Sequence, residues 1–412
     1  MTCHEVVKFG SNHQGMEISH NTPITVENFE PTQRFLRIAV VTETWPPEVN
    51  GVAITLSKLI HHLGQRHHTI QLIRPRQDKN DEGNEQSGWS ELLLRGFPIP
   101  RYPQLKLGLP SKKALIKAWS IKRPDLVHIA TEGPLSWSAL QAAQILRLPV
   151  TSDFRTNFHS YCQHYGVGWL SKPIVAYLRK FHNRTAFTMV PTQSMKYQLE
   201  AMGFKNLKVV ARGIDTQLFH PIRRSDNIRE TWGATQETMV LLSVGRLAAE
   251  KNLELTIQTY QTLVAAGRLV KMVFVGDGPM REVIEAKCPD AIFMGMCNHE
   301  QLSTLYASAD LLLFPSLTET FGNVTLEALS CSTPVLAFNC AAASDFISDR
   351  KNGWLIDSDS PQTYIQRALE ITSSASTLRQ TREFTRSSVI HLGWDEISSQ
   401  VESIFQRAIE IS

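Results

Sequence analysis

Short apolar runs alternate with helical patterns, and the series occurs twice, which limits this chain to a small set of folds. The run Leu36-Arg-Ile-Ala-Val-Val-Thr42 reads as a buried parallel strand. It enters a loop rich in proline and glycine, Trp45-Pro-Pro-Glu-Val-Asn-Gly51. A helical pattern follows over 52–65, with apolar residues at Ile54, Leu56, Leu59, Ile60 and Leu63. Further strands are expected at 68–73, 91–97, 126–130, 149–152, 187–190 and 207–211, with helices at 137–146 and 192–202. The series then restarts, with strands at 239–244, 271–275, 291–294, 311–314, 335–338 and 353–356 and helices at 253–266 and 280–287.

Strands alternating with helices predict a parallel sheet covered on both faces. Near Arg212–Arg224, Gly213, Pro221 and a polar cluster interrupt the periodicity, so two α/β halves are expected rather than one long sheet. The organisation expected is an extension over 1–33, one Rossmann-like domain over 34–212 and a second over 213–390. A final helical segment, 391–412, would pack back on the first domain.

Composition narrows the class. Of 412 residues, 42% are apolar and 20% charged, as in an ordinary soluble globular protein. No apolar run reaches the roughly 18–20 residues of a membrane span. The polar, aperiodic first 33 residues show no secretory signal. Six scattered cysteines without a C-x-x-C pair fit reduced thiols better than a disulfide frame or a zinc site. A cytoplasmic location is therefore expected.

Charge is unevenly divided. Residues 34–217 carry 25 lysines and arginines against 12 acids, whereas 218–412 carry 16 against 23. A basic half on an acidic half points to one face meeting an anionic partner, with a solvated basic surface as the alternative. No DNA- or RNA-reading module is present, so an anionic membrane surface or an acidic glycan is favoured over nucleic acid. The stretch 111–121, with Lys112, Lys113 and Lys117 beside Leu115, Ile116 and Trp119, reads either as an interfacial membrane helix or as a solvated helix covering the sheet.

Four stretches carry candidate chemistry, each at the carboxyl end of an expected strand, where open α/β sheets bind ligands. In Glu319-Thr-Phe-Gly-Asn-Val-Thr-Leu-Glu327, two carboxylates are separated by seven residues, with a helix opening near Asn323. Gly322 lets a ligand approach the backbone, free amides at the helix start suit a phosphate, and carboxylates accept bonds from sugar hydroxyls. The structural alternative is a loop acid plus a helix-start acid that favours the dipole. In Gly245-Arg246-Leu-Ala-Ala-Glu250-Lys251, Arg246 supplies a planar fork and Lys251 a mobile point charge. Together they could stabilise the charge on a departing nucleoside diphosphate without a metal, or be merely exposed cations.

Gly51 opens a helix whose first amides could face a phosphate, unless the loop before it is a plain connection. In Ser152-Asp-Phe-Arg-Thr-Asn-Phe-His159, Asp153, Arg155 and His159 could bind an acceptor or act on the reacting sugar. A structural salt bridge with a partly buried histidine explains them equally. The turn Val275-Gly-Asp-Gly278-Pro lacks the third glycine of a dinucleotide fingerprint, since Arg281 stands there. The doublets His61-His62 and His67-His68 read as surface residues, and Asn183-Arg-Thr185 as an unused glycosylation sequon.

Together these stretches resemble the retaining glycosyltransferase family 4, of GT-B fold, over about residues 36–400. The motifs that carry the resemblance are P-P-x-x-N-G-V at Pro46–Val52, G-R-x-x-x-E-K at Gly245–Lys251, V-G-D-G-P at Val275–Pro279, E-x7-E at Glu319–Glu327 and Trp394. The resemblance implies two Rossmann-like domains facing each other across a cleft. It implies that Arg246 and Lys251 hold the donor diphosphate and Glu327 the ribose, with Glu319 near the transferred sugar and Gly51 approaching its phosphate. Gly278, Phe321, Gly322, Asn323 and Val324 complete the implied donor set. Glu319, Arg246, Lys251 and Arg155 form the implied catalytic set, and Asp153, Arg155 and His159 the acceptor set.

No metal and no cofactor are implied beyond the nucleotide-sugar donor. Many relatives of this kind place a histidine where Arg155 stands, and arginine cannot serve as a base at neutral pH. The stretches 153–159 and 318–325 are similar to bacterial GDP-mannose-dependent α-mannosyltransferases, which favours GDP-mannose as donor and a lipid or glycan as acceptor. The competing readings are a nucleotide-sugar epimerase on the same architecture and a catalytically silent sugar-nucleotide or membrane-binding protein. The Arg246, Lys251, Glu319 and Glu327 set argues against the silent protein.

Overall fold

Among the described residues, sixteen strands give the chain its frame. They are β1 (Arg37–Val41), β2 (Thr69–Pro75), β3 (Glu85–Gln86), β4 (Trp89–Leu94), β5 (Gly96–Ile99), β6 (Tyr102–Gly108), β7 (Leu126–Ile129) and β8 (Val150–Asp153). The series continues with β9 (Phe187–Val190), β10 (Leu207–Val209), β11 (Met239–Val244), β12 (Val270–Val275), β13 (Ile292–Phe293), β14 (Leu311–Phe314), β15 (Val335–Phe338) and β16 (Trp354–Ile356). The computed structural model describes residues 35–48, 50–99, 102–155, 171–357 and 360–412. The extension expected over 1–33 and His159 lie outside these residues.

The first sheet has the order β10-β9-β8-β7-β1-β2-β4-β3, parallel except for β3 against β4. The second has the order β13-β12-β11-β14-β15-β16 and is parallel throughout. Period-two alternation divides β1 between two cores. Ile38 and Val40 join Leu56, Leu59 and Ile60 on one face. Ala39 and Val41 join Trp119, Leu135 and Ala139 on the other. Val41 pairs with Ile73 on one side and Ile129 on the other, so the loops after β1, β2 and β7 leave the sheet at one edge. The loops after β11, β12 and β14 likewise share an edge of the second sheet.

The last helix, Trp394–Glu410, returns to the first sheet. Its Val401, Ile404, Phe405 and Ala408 complete the core that holds Ile38 and Leu56. A buried Val, Ile or Phe side chain of this kind is worth about 1.5–3 kcal/mol. Arg66 pairs with Glu402 at 2.7 Å, and Trp394 stacks on His62 with ring centroids 5.9 Å apart. The two crossovers between the sheets run side by side, since the Ile214 amide donates to the Leu392 carbonyl at 2.9 Å.

Two local expectations need correction, and a third region takes one of its two expected forms. The strand expected over 91–97 is two strands. The last residue of β2, Pro75, pairs with Leu94, so the sheet offers β4 no further partner there, and the chain turns into a separate hairpin, β5–β6. His68 is buried, not superficial. Its Nδ1 accepts from the Leu36 amide at 3.0 Å and its Nε2 lies 3.4 Å from Glu402. The helix Lys112–Ile121 spends its apolar face on the sheet, with Leu115 and Trp119 buried and Trp119 Nε1 donating to Gln71 at 3.0 Å. That leaves its lysines, not an apolar face, for the outside.

Candidate active site

The second sheet contributes three loops to one edge. After β11 the chain turns at Gly245, makes a single 3-10 turn at Ala249–Lys251 and enters the helix Leu253–Ala265 through Asn252 in the left-handed region (φ 54°). Asparagine tolerates that conformation. Its side chain donates to the Pro315 carbonyl at 3.1 Å, tying this loop to the one after β14. Thr318 adds a bond to the Glu250 carbonyl at 3.3 Å. Lys251 is thereby aimed at Glu319, and the two form an ion pair. Arg246 is largely exposed and pairs with Glu250.

The loop after β12 packs backbone to backbone on the loop after β11. A Cβ at Gly276 would lie 2.0 Å from the Gly245 carbonyl oxygen, and one at Gly278 would lie 2.5 Å from that of Leu247. The V-G-D-G-P turn therefore has a structural reason for its glycines, whatever binds beside it.

The E-x7-E stretch divides its residues among different tasks. Phe321 is a core residue, 1% exposed, so its side chain faces the interior. Val324 packs half-buried against the same core. Gly322 (φ 87°) caps the helix Asn323–Ser330 without a side chain, leaving the cap position open to a ligand. Glu327 accepts a bond from Tyr306 at 3.0 Å. Burial raises the Glu327 pKa, against that bond and the charge of Lys58 from the first sheet's side.

The first sheet's wall is built differently. Asp153 ends β8, almost wholly buried, and is bridged to Arg155 and to His128 Nε2 at 3.3 Å. Burial pushes its pKa up, but Arg155 and His128 outweigh that and bring it down to about 2. Beside it, Ser152 Oγ lies 2.9 Å from His182 Nδ1, and His182 Nε2 lies 3.3 Å from Glu132. Glu43, after β1, accepts from the amides of Gly108 and, at 3.0 Å, Leu135. Burial raises its pKa to about 7 despite the hydrogen bonds from Gly108, Ser136 and Leu135. Gly51 opens its helix as expected, but the next two amides are not free. Asn50 caps Val52 at 3.1 Å and Ala53 at 2.9 Å.

The walls meet at a residue that no motif singled out. Arg212, on the crossover, has its guanidinium 5.4 Å from the Phe321 ring centroid and its Nη1 3.4 Å from Asn323 Oδ1. A methyl group at Gly51 would lie 3.8 Å from the same nitrogen. Two cavities flank it. One is lined by Asp153, Arg155, Arg212 and Trp394, and the other by Lys58, Asn323, Glu327 and His299. A third lies at Gly245, Arg246 and Lys251.

Two parallel α/β sheets facing each other, with cations and carboxylates at their strand ends, define a GT-B glycosyltransferase. A solved structure of sucrose-phosphate synthase from Thermosynechococcus elongatus shares the fold, with TM-score 0.73 over 92% of this chain and all of that one, at 16% identity. The family model for glycosyl transferases group 1 matches residues 224–388, and that for glycosyltransferase family 4 matches 49–218. The chain is 30% identical over 328 residues to a GDP-mannose-dependent α-mannosyltransferase of Corynebacterium glutamicum, covering 79% of this chain and 77% of that protein. It is also 26% identical over 333 residues to an α-monoglucosyldiacylglycerol synthase of Streptococcus pneumoniae, covering 78% and 75%. The chain belongs to glycosyltransferase family 4.

Proposed function

We propose that this glycosyltransferase is retaining and metal-independent, and that it moves a hexose from a nucleotide-diphosphate sugar to a lipid or glycan acceptor. The donor favoured is GDP-mannose. The observation that carries the reading is the opposition of two charged groups at the strand ends of facing sheets, Lys251–Glu319 and Arg155–Asp153. Arg246 and Lys251 take the diphosphate, Glu327 the ribose, and Glu319 the transferred sugar. Gly278, Gly322, Asn323 and Val324 offer backbone around them, and Gly51 approaches from the other wall. Asp153 and Arg155 receive the acceptor.

In the transfer, the bond from the anomeric carbon to phosphate breaks as the acceptor oxygen bonds on the same face. The acceptor proton passes to the departing phosphate oxygen. Asp153 supports this route, because a carboxylate held near pKa 2 is a poor proton acceptor and Arg155 offers no base. Lys251 and Arg246 stabilise the charge that develops on the leaving group.

The mannose donor rests on the name of the Corynebacterium relative, and the lipid acceptor on that of the Streptococcus synthase. The exposed Lys112, Lys113 and Lys180 would face an anionic membrane surface. Among the described residues no helix is long and apolar enough to cross a membrane.

A thermal-shift screen of GDP, UDP, ADP and their sugar conjugates on wild type and Lys251→Ala tests the reading. A ligand at 100 times its Kd stabilises by about 2.7 kcal/mol. Shifts with GDP and GDP-mannose alone, lost in the variant, are expected. Shifts with UDP or ADP compounds would move the donor assignment, and none at all would sink the transferase reading. Donor turnover without an acceptor would point to an epimerase.

A further inference from the structure

The charges in the cleft are not evenly matched. Asp153 is already bridged to Arg155 and His128, and Glu319 to Lys251. Among the described residues no carboxylate lies within ion-pair distance of Arg212. Its Asn323 contact, at 3.4 Å, is long for a charge-assisted hydrogen bond. Its other contact is the face of Phe321. Desolvation in the cleft and repulsion from Arg155 bring its pKa down to about 10, against the pull of Glu319 and Asp153. Arg212 is therefore a cation with no ion-pair partner among the described residues, with donor capacity to spare. A planar guanidinium placed this way matches a phosphate, which it can engage through two parallel N–H bonds.

Its position selects which phosphate. Arg212 touches Asn323 and Phe321, at the start of the E-x7-E helix, whereas the proposed ribose ligand Glu327 stands a turn further along. On its other side are Gly51 and the cavity it shares with Asp153 and Arg155, where the acceptor is proposed to bind. We propose that Arg212 binds the sugar-bearing phosphate of the donor, a contact that rests on the donor reading above. The residue sits on the crossover, so both walls frame that phosphate, and the cation reaches it from between the sheets. As the bond to the anomeric carbon breaks, negative charge develops on this same phosphate before the acceptor proton reaches its oxygen. Arg212 then grips it more strongly, as a group that assists departure should.

The competing role is a brace that holds Phe321 and Asn323 in place. The two differ in what removal does to the empty protein. A brace lost lowers the melting temperature without ligand, whereas an unmatched cation lost leaves it unchanged or raises it.

Calorimetric titration of wild type, Arg212→Gln and Arg212→Lys with GDP and GMP, or with UDP and UMP if those bind, decides the matter. Arg212→Gln is expected to weaken the diphosphate by about 10- to 100-fold and the monophosphate by less than about twofold. Arg212→Lys should recover part of the loss, with ligand-free melting temperatures not lowered. Equal effects on diphosphate and monophosphate, or no effect on either, overturn the proposal. So does a lowered ligand-free melting temperature with an unchanged affinity ratio. If wild type binds no nucleoside diphosphate, the donor reading fails first. If it binds and the variant binds equally well, Arg212 alone is wrong.

Discussion

The two walls of the cleft use charge in opposite ways. On the first sheet's wall the ionisable groups are sealed, with the side chains of Asp153 and His128 only 5% and 1% exposed. On the second sheet's wall Arg246 and Lys251 remain open, at 56% and 26%. A sealed network is shielded from water and fixes geometry before any ligand arrives. An open one is completed by a ligand. The contrast teaches that the same residue types, placed at equivalent strand ends, can be preorganised by their own partners on one wall and left for a ligand to complete on the other.

Substitutions can break that contrast, and the largest effect belongs to the sealed wall. Asp153→Asn leaves Arg155 and His128 facing a neutral amide, and breaking a buried ion pair from one side costs about 3–5 kcal/mol. A marked fall in the urea midpoint is expected, and a midpoint like wild type's would mean the wall is not sealed after all.

On the open wall, Lys251→Met should lower kcat by about 10²–10³-fold, the scale for losing one group that stabilises transition-state charge. Its urea midpoint should fall less than that of Asp153→Asn, because Lys251 and Glu319, at 26% and 13% exposed, are less sealed than Asp153 and His128. A large loss of stability with kcat intact would reverse the comparison.

The smallest effect is a pH dependence from Glu43. Burial holds its folded pKa near 7, above its usual 4.5, so the folded state binds the proton more tightly than the unfolded chain. The stabilisation is complete below about pH 4.5 and is lost as pH rises toward 7, on the order of 3 kcal/mol in all. Glu43→Gln should flatten the stability profile across that window, and an unchanged slope would place the titration elsewhere.

Most of the frame was legible because buried parallel strands announce themselves as apolar runs, and β1, β11 and β14 do so plainly. The loops that follow them carry the motif residues, so Lys251 and Glu319 could be singled out without knowing that they pair. What stayed hidden depends on neighbours distant in sequence. His68 looked superficial in a polar stretch, since its partner Glu402 lies near the other end of the chain. The hairpin β5–β6 was invisible because the strand ends where its neighbour runs out, not where its own composition changes. Arg212 belongs to no motif, and its partner Asn323 is 111 residues away. The helix His299–Ser308 did carry a local sign, the reciprocal cap between Asn298 and Gln301, which apolar periodicity alone does not detect.

The returning helix Trp394–Glu410 also sets an order of events during synthesis. The face of the first sheet that bears Ile38 and Val40 cannot be fully covered until residues near 405 have left the ribosome. At about 5–20 residues per second, that face waits roughly 10–40 s after its own strands emerge. The first half of the chain to be made is thus among the last to be finished, and it holds an uncovered apolar surface while the second half folds.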